Sequence, residues 1–330
     1  MGIPIPRTVR SDVGPPTGTM TPHELAKGTL SLDPRMHPVD RILLGYNLAL
    51  AGVWLSVGRG GSYALWLAAA HLAGVGLFWL LSRLPESAGA GMRLLRQLYP
   101  LVFVAAFWIE LDLVRPALDL VGIDHQISAL DGFLFGVHLH EIWLPRMNAV
   151  WISEVMYFFY YAYYPSVYVP PIVLAVLGRE TAARDMIFRL TATYLACFAV
   201  YIAFPVDGPH YFMEPTPGPH TEGFFYALVQ MAQQAGSSRG CTFPSSHAAG
   251  AATMAVLAWR WLPRWAGILL TVEALGVMLS TTYTQFHFFV DSVAGVAWAL
   301  IFNFLLAEPL ARALGGRGTG VRDKEEDVPA

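Results

Sequence analysis

Charged residues are scarce in this 330-residue chain: only 14% are Asp, Glu, Lys or Arg, where a soluble domain carries about 25%. Hydrophobic residues make up 55%, and the mean hydropathy is +0.46. So few charges exclude a domain that must face water on every side. Lysine is rarer still, with only Lys27 and Lys324. A net charge of −3 and a pI of 6.4 exclude the basic face of a nucleic-acid binder. Cysteine is limited to Cys197, inside an apolar run, and Cys241, beside a polar loop. That placement argues against a disulfide, and no Cys-x-x-Cys or comparable metal spacing occurs. Residues 1–40 hold no apolar stretch of the kind that opens a signal peptide; Pro4, Pro6, Pro15, Pro16, Pro22, Pro34 and Pro38 break them up. They read as a flexible cytoplasmic tail, and the charged, Gly-rich residues 311–330 as a second one.

Long apolar runs are what the chain does have. About 20 apolar residues in a helix cross the hydrocarbon core, and eight stretches approach this: 41–58, 62–82, 97–115, 150–177, 186–204, 243–260, 264–282 and 286–307. The fold class expected is therefore all-α, a polytopic transmembrane bundle of about eight spans. Pro165, Pro170 and Pro171 predict a kink in the fourth. With both ends inside, every one of the 21 Lys and Arg residues except Arg59, Arg115, Arg146 and Arg239 falls in a cytoplasmic segment, as the positive-inside rule requires. Residues 41–116 read as accessory spans, 117–149 as an outer loop or interfacial helix, and 150–310 as the functional core. A second outer segment, 205–242, carries a short helix-compatible stretch near 221–236.

Two motifs face the outer side. One is Cys241-Thr242-Phe243-Pro244-Ser245-Ser246-His247 at the start of the sixth span. The other runs Ser280-Thr281-Thr282-Tyr283-Thr284-Gln285-Phe286-His287-Phe288-Phe289-Val290-Asp291 into the eighth. His287 and Asp291 are four apart, so on a helix they share a face. The carboxylate can then accept one ring N–H and leave the other nitrogen as a nucleophile. His247, at matching depth, can protonate a leaving oxygen. Backbone N–H groups around Ser245 and Ser246, at a helix N-terminus, can receive phosphate oxygens.

Together, Pro244-Ser245-Ser246-His247 and His287-x3-Asp291 resemble the second and third signature motifs of the type 2 phosphatidic acid phosphatase (PAP2) superfamily. Their wording is nearest to its inositol phosphorylceramide synthase-like branch. The resemblance covers roughly residues 150–307 and implies that His287 is the nucleophile, Asp291 its orienter and His247 the general acid. It implies no metal and no cofactor. The superfamily's first motif, with its Lys and Arg-Pro pair, is absent, and Ser280-Thr281 stands where Ser-Arg is usual. Phosphate charge must then be met by other donors, for which Arg239, Arg115 and His210 are the outer-side candidates. The activity implied is an integral membrane phosphatase or phosphotransferase acting on a lipid phosphate or phosphodiester through a phosphohistidine. Alternatives are a headgroup transferase and a non-catalytic lipid-binding or transport bundle. The partners implied are the bilayer and a lipid phosphate, with no nucleic acid; no protein partner is legible.

Other polar residues have blander readings. Glu110 and Glu154, near outer ends, can pair with Arg115 or Arg146, while Glu273 and His71 fit hydrogen bonds inside the bundle. His125, His138 and His140 could bind zinc, but they lack a fixed metal-ligand spacing, and no metal is expected there. The tyrosines at 157–164 fit either an interfacial aromatic belt or a lipid-accessible groove.

Overall fold

The computed structural model describes residues 36–57, 62–85 and 89–316, so the two expected tails lie almost wholly outside the described residues. The described chain is a bundle of helices without strands. Helix α1 (Pro38–Val57) starts with a proline, whose fixed φ suits a first helical position. It packs along α2 (Ser62–Ser82), and α3 (Ala90–Ala117) follows. Two short helices come next, α4 (Asp124–Phe135) and α5 (Leu139–Arg146). The long helices α6 (Val150–Val176) and α7 (Glu180–Ala203) lead into α8 (Phe224–Gly236). The last elements are α9 (Ser246–Trp261), α10 (Arg264–Tyr283) and α11 (Phe289–Ile301), which passes through a π-turn into α12 (Ala307–Ala313).

Among the described residues, five segments are long and apolar enough to cross a membrane: Tyr63–Ser82, Ala90–Ala117, Glu180–Ala203, Arg264–Tyr283 and Phe289–Ala313. Their outer faces present large apolar side chains such as Trp66, Val102, Leu269 and Phe304, which calls for a lipid solvent. The three remaining expected spans correspond to α1, α6 and α9. Helix α9 has 16 residues, short of a full crossing, and most of its surface is covered by protein. Asp40, Arg41 and Asn47 dilute the apolar character of α1, and tyrosines and three prolines do so in α6. Helix α6 continues through Pro165, Pro170 and Pro171 rather than ending there.

Small residues let α9 sit at the centre. Ala248, Ala249, Ala251 and Ala252 are all buried, and such residues allow neighbouring helices to approach closely. A Cβ on Gly250 would lie 2.3 Å from the Tyr194 hydroxyl of α7.

Two ionic clusters lock one end of the bundle. Arg96 of α3 reaches Asp40 of α1, with an Nη1–Oδ1 distance of 2.9 Å. Arg189 of α7 is held by Asp185 at 2.7 Å and Glu308 of α12 at 2.6 Å, and Trp261 of α9 donates to Asp185 at 2.7 Å. Arg41 donates to the Leu314 carbonyl, which brings the start of α1 to this same end. Nearer the opposite end, Glu110 receives His71 at 2.6 Å, and His71 meets Asn47 at 3.0 Å. Glu110 is thus tied to α1 and α2 and not to Arg115. Glu154 accepts the Phe225 N–H at 2.8 Å and so caps α8, an alternative to the expected arginine partner.

Candidate active site

The far end of α9 brings the two motifs together. Ser245 is the N-cap of α9, its hydroxyl accepting the Ala248 N–H at 3.3 Å, as an N-cap serine does. Its own N–H donates to the Asp291 carbonyl at 2.9 Å, which joins the start of α9 to that of α11. Gly295, one turn further along α11, faces the Ser245 carbonyl so closely that a Cβ there would lie 2.3 Å from that oxygen.

His287 lies two residues before α11, in the short connection after α10, and its N–H donates to the Thr281 carbonyl at 3.1 Å. The expected helical face shared by His287 and Asp291 is therefore not formed. Asp291 occupies the third position of α11 instead, and its Oδ2 turns back to accept the Phe288 N–H at 2.9 Å. The same oxygen is 3.4 Å from His287 Nδ1. The direct acceptor for Nδ1–H is the Thr242 carbonyl at 3.0 Å. With its proton on Nδ1, the ring leaves Nε2 with its lone pair, 3.4 Å from the Ser245 hydroxyl. A backbone carbonyl thus does much of the tautomer-fixing that the spacing assigned to Asp291.

His247, in the first turn of α9, turns its ring towards His287. The two centroids are 6.1 Å apart with the planes at 67°. Among the described residues the His247 ring makes no hydrogen bond. It is held by aromatic faces, with Tyr163 at 4.4 Å and Tyr160 at 5.0 Å. Tyr160 is fixed by Gln233 of α8 at 2.6 Å, and Tyr163 by Tyr194 at 2.6 Å. Tyr163, Tyr194 and Gln233 border a cavity of about 400 Å³ between α3, α6, α7 and α8, whose wall also includes Trp108, Tyr164, Tyr168, Phe198, Ser246 and His247. Of the tyrosines at 157–164, Tyr163 and Tyr164 line this cavity. His287 sits behind His247, 4% exposed.

The residues expected to bind phosphate are arranged differently. The N–H of Ser246 donates to the Tyr201 hydroxyl at 3.1 Å, and that of Ser245 is taken by Asp291. Both of these amides therefore have partners within the protein. Arg115 and Arg239 both engage Asp207, Arg239 through Nη2 at 3.0 Å. They meet there because Val206 bridges Cys241 and because Asp124 of α4 accepts the N–H groups of Asp207 and Gly208 at 2.8 and 2.9 Å. Gly208, with φ of +92°, cannot carry a side chain, since a Cβ would lie 2.5 Å from the Phe286 carbonyl. Arg239 stacks over the Tyr211 ring at 4.7 Å and its side chain is 55% exposed. The His210 ring stands edge-on to Phe286 at 5.2 Å. Burial and the positive charge of Arg239 push its pKa down to about 4, leaving it neutral at neutral pH.

The family model described as "PAP2 superfamily" matches residues 125–305, more than half of the chain. The chain belongs to the PAP2 superfamily. The matched region of this PAP2 protein begins at α4 and includes both histidine motifs. It is also similar to a PA-phosphatase related-family protein of Dictyostelium discoideum, 26% identical over 110 residues, which is 32% of this chain and 20% of the relative. The chain thus matches about a fifth of that relative's length. No solved structure matches.

Thr242, Tyr201 and Asp207 act at this site without having been singled out from sequence. Thr242 does so through its carbonyl, a group every residue carries, so its side chain gave no signal. His138 and His140, for which no metal was expected, come together with Asp131, whereas His125 is exposed on α4.

Proposed function

We propose that this PAP2 protein cleaves or transfers a lipid phosphate ester at the end of the bundle that holds His247 and His287, facing the extracytoplasmic side. The observation that carries the reading is the imidazole pair, 6.1 Å apart beside an aromatic cavity of about 400 Å³. His287 Nε2 attacks phosphorus while the bond from phosphorus to the lipid oxygen breaks, and the leaving oxygen takes a proton from His247. Water or an alcohol then attacks the phosphohistidine and gives its proton to His247, and Nε2 departs. The entering phosphate displaces the long Ser245 hydroxyl contact from Nε2 and favours the protonated form of His247 beside it. The π faces of Tyr160 and Tyr163 support that cation. Asp291 anchors the start of α11 and adds negative charge near Nδ1.

Arg239 is the phosphate donor best supported, because it is more than half exposed and Asp207 keeps Arg115 when it leaves. His210, beside Phe286, adds a hydrogen-bonding group. The motif wording, nearest to the inositol phosphorylceramide synthase-like branch, supports an alcohol as second acceptor. A screen of lipid extracts, scoring phosphate release and new lipid products together, separates hydrolase from headgroup transferase. A non-catalytic lipid-binding bundle is the second reading, favoured by the engagement of both arginines with Asp207. The test is an acid quench of purified protein during a single turnover of phosphorus-labelled phosphatidic acid. An acid-labile phosphoprotein present in the wild type and absent from His287→Ala supports the covalent route. Turnover in His287→Ala removes His287 as nucleophile, and lipid binding without any turnover selects the second reading.

A further inference from the structure

Three ligand-bearing side chains meet away from the imidazole pair. Asp131 of α4 is fully buried, His140 of α5 is 3% exposed, and His138, the N-cap of α5, is partly exposed. One ligand atom from each of Asp131, His138 and His140 lies within 4.8 Å of the other two. Asp131 Oδ2 is 3.7 Å from His138 Nδ1 and 3.9 Å from His140 Nδ1. All three atoms are buried and lack a hydrogen-bond partner, a condition that costs about 1–3 kcal/mol per group in a folded protein. A charge-assisted hydrogen bond would draw nitrogen and oxygen to about 2.7–2.9 Å, so these contacts are too long to be one. They are close to the edge of a ligand tetrahedron, about 3.3–3.4 Å for bonds of about 2.0–2.1 Å to zinc.

We infer that Asp131, His138 and His140 form a zinc site, with the fourth tetrahedral position left to water. The donor set, two imidazoles and one carboxylate, suits zinc better than magnesium or calcium, which prefer oxygen. The Glu141 carboxylate lies 3.8 Å from His140 Nε2, on the ring edge where a zinc-ligating histidine usually meets an outer carboxylate. Gly132 is part of the construction. A Cβ there would lie 2.9 Å from His138 Cε1 and 3.1 Å from Nε2, so the ring is seated against bare helix backbone. That gives a reason for a glycine inside α4, which costs about 1 kcal/mol relative to alanine.

The site braces the segment that carries His287. Asp131 uses its other oxygen to accept the Val290 N–H at 2.8 Å. The His140 carbonyl accepts the Gln285 amide at 3.0 Å, and the His140 ring stands edge-on to Phe288 at 5.0 Å. The ion touches none of the reacting atoms, and zinc binding stands whether or not the imidazole pair is catalytic.

The experiment uses the full chain purified in detergent without a histidine tag, equilibrated with zinc chloride, gel-filtered and assayed for metal by mass spectrometry. About one zinc per chain is expected, unaffected by excess magnesium. His138→Gln and Gly132→Ala should reduce it at least tenfold, and added zinc should raise the thermal unfolding temperature of the wild type but not of His138→Gln. Because His138 is partly exposed, that variant should fold even if Asp131→Asn does not. A wild type that retains no zinc, or a folded His138→Gln that retains as much, overturns the inference.

Discussion

Replacing Gly295 with alanine adds one methyl group that lands on the Ser245 backbone, and it should disable the site. The new Cβ would lie 2.3 Å from the Ser245 carbonyl and 3.2 Å from the Ala249 nitrogen. Carbon and its neighbours rest at about 3.5–4.0 Å, so α11 must retreat from α9 by about 1 Å. Both surfaces are backbone, and no side chain can rotate away. Overpacking of this kind costs about 1–3 kcal/mol. The Ser245–Asp291 backbone bond of 2.9 Å sits one turn from the intrusion, and its loss adds about 1 kcal/mol. Helix α9 carries His247 and α11 is preceded by His287, so their separation sets the gap between the rings. A misplacement of about 1 Å lowers catalysis on the order of 100-fold. The assays are thermal unfolding in detergent and phosphate release from phosphatidic acid in mixed micelles. Gly76→Ala, inside α2 where a Cβ meets nothing within 4 Å, is the control; it should leave turnover unchanged and should not lower the unfolding temperature. Wild-type turnover in Gly295→Ala would show that the α9–α11 spacing does not set the geometry of the reaction.

Other substitutions probe separate parts of the reasoning. Arg239→Ala removes a half-exposed partner of Asp207, so stability should fall by less than about 1 kcal/mol while KM for a lipid phosphate rises; an unchanged KM removes Arg239 from phosphate binding. Asp207→Ala leaves Arg115, 22% exposed, without its carboxylate, and should destabilise by about 1–3 kcal/mol; an unfolding temperature equal to the wild type's contradicts this. The depressed pKa of His210, about 4, means that the native state binds fewer protons than the unfolded chain between about pH 6.5 and 4. Stability should therefore fall as pH drops through that window, by up to about 3 kcal/mol, and the fall should be smaller in His210→Gln; superimposable pH profiles refute it. For the proposed orientation, Glu222→Cys, exposed in the loop before α8, should react with an impermeant thiol reagent on intact cells, since Cys197 and Cys241 are buried. Labelling confined to broken cells inverts the topology.

What was legible in the sequence followed from forces that act locally. Apolar runs matched to bilayer thickness placed α2, α7 and α10 within a few residues, except that α7 begins at Glu180. Helix α3 also starts earlier than expected, at Ala90, because Arg93 and Arg96 lie inside it. Their partners, Glu180 and Asp40, are distant in sequence, so a hydropathy reading stops at the charges. His247 and His287 were identifiable because Pro244-Ser245-Ser246-His247 and His287-x3-Asp291 together resemble paired PAP2 motifs, and the structure sets the two rings 6.1 Å apart. The four-residue spacing does put Asp291 Oδ2 3.4 Å from His287 Nδ1, but not through a shared helical face, since a carboxylate at the third helical position reaches back to a residue outside the helix. The engagement of Arg115 and Arg239 by Asp207 depends on the Val206–Cys241 bridge, and Asp131 meets Val290 across 159 positions. No local pattern encodes such meetings.

His247 is packed by rings and, among the described residues, bound by no hydrogen bond. A ring gripped on its flat sides can tilt in its own plane without breaking anything, as a coin turns between two fingertips. In the proposed reaction it must address the departing lipid oxygen first and the incoming hydroxyl next, and these oxygens need not occupy one spot. Its loose angular hold lets a single residue serve both halves of the cycle, whereas the rigidly pinned His287 keeps the phosphorus in place between them.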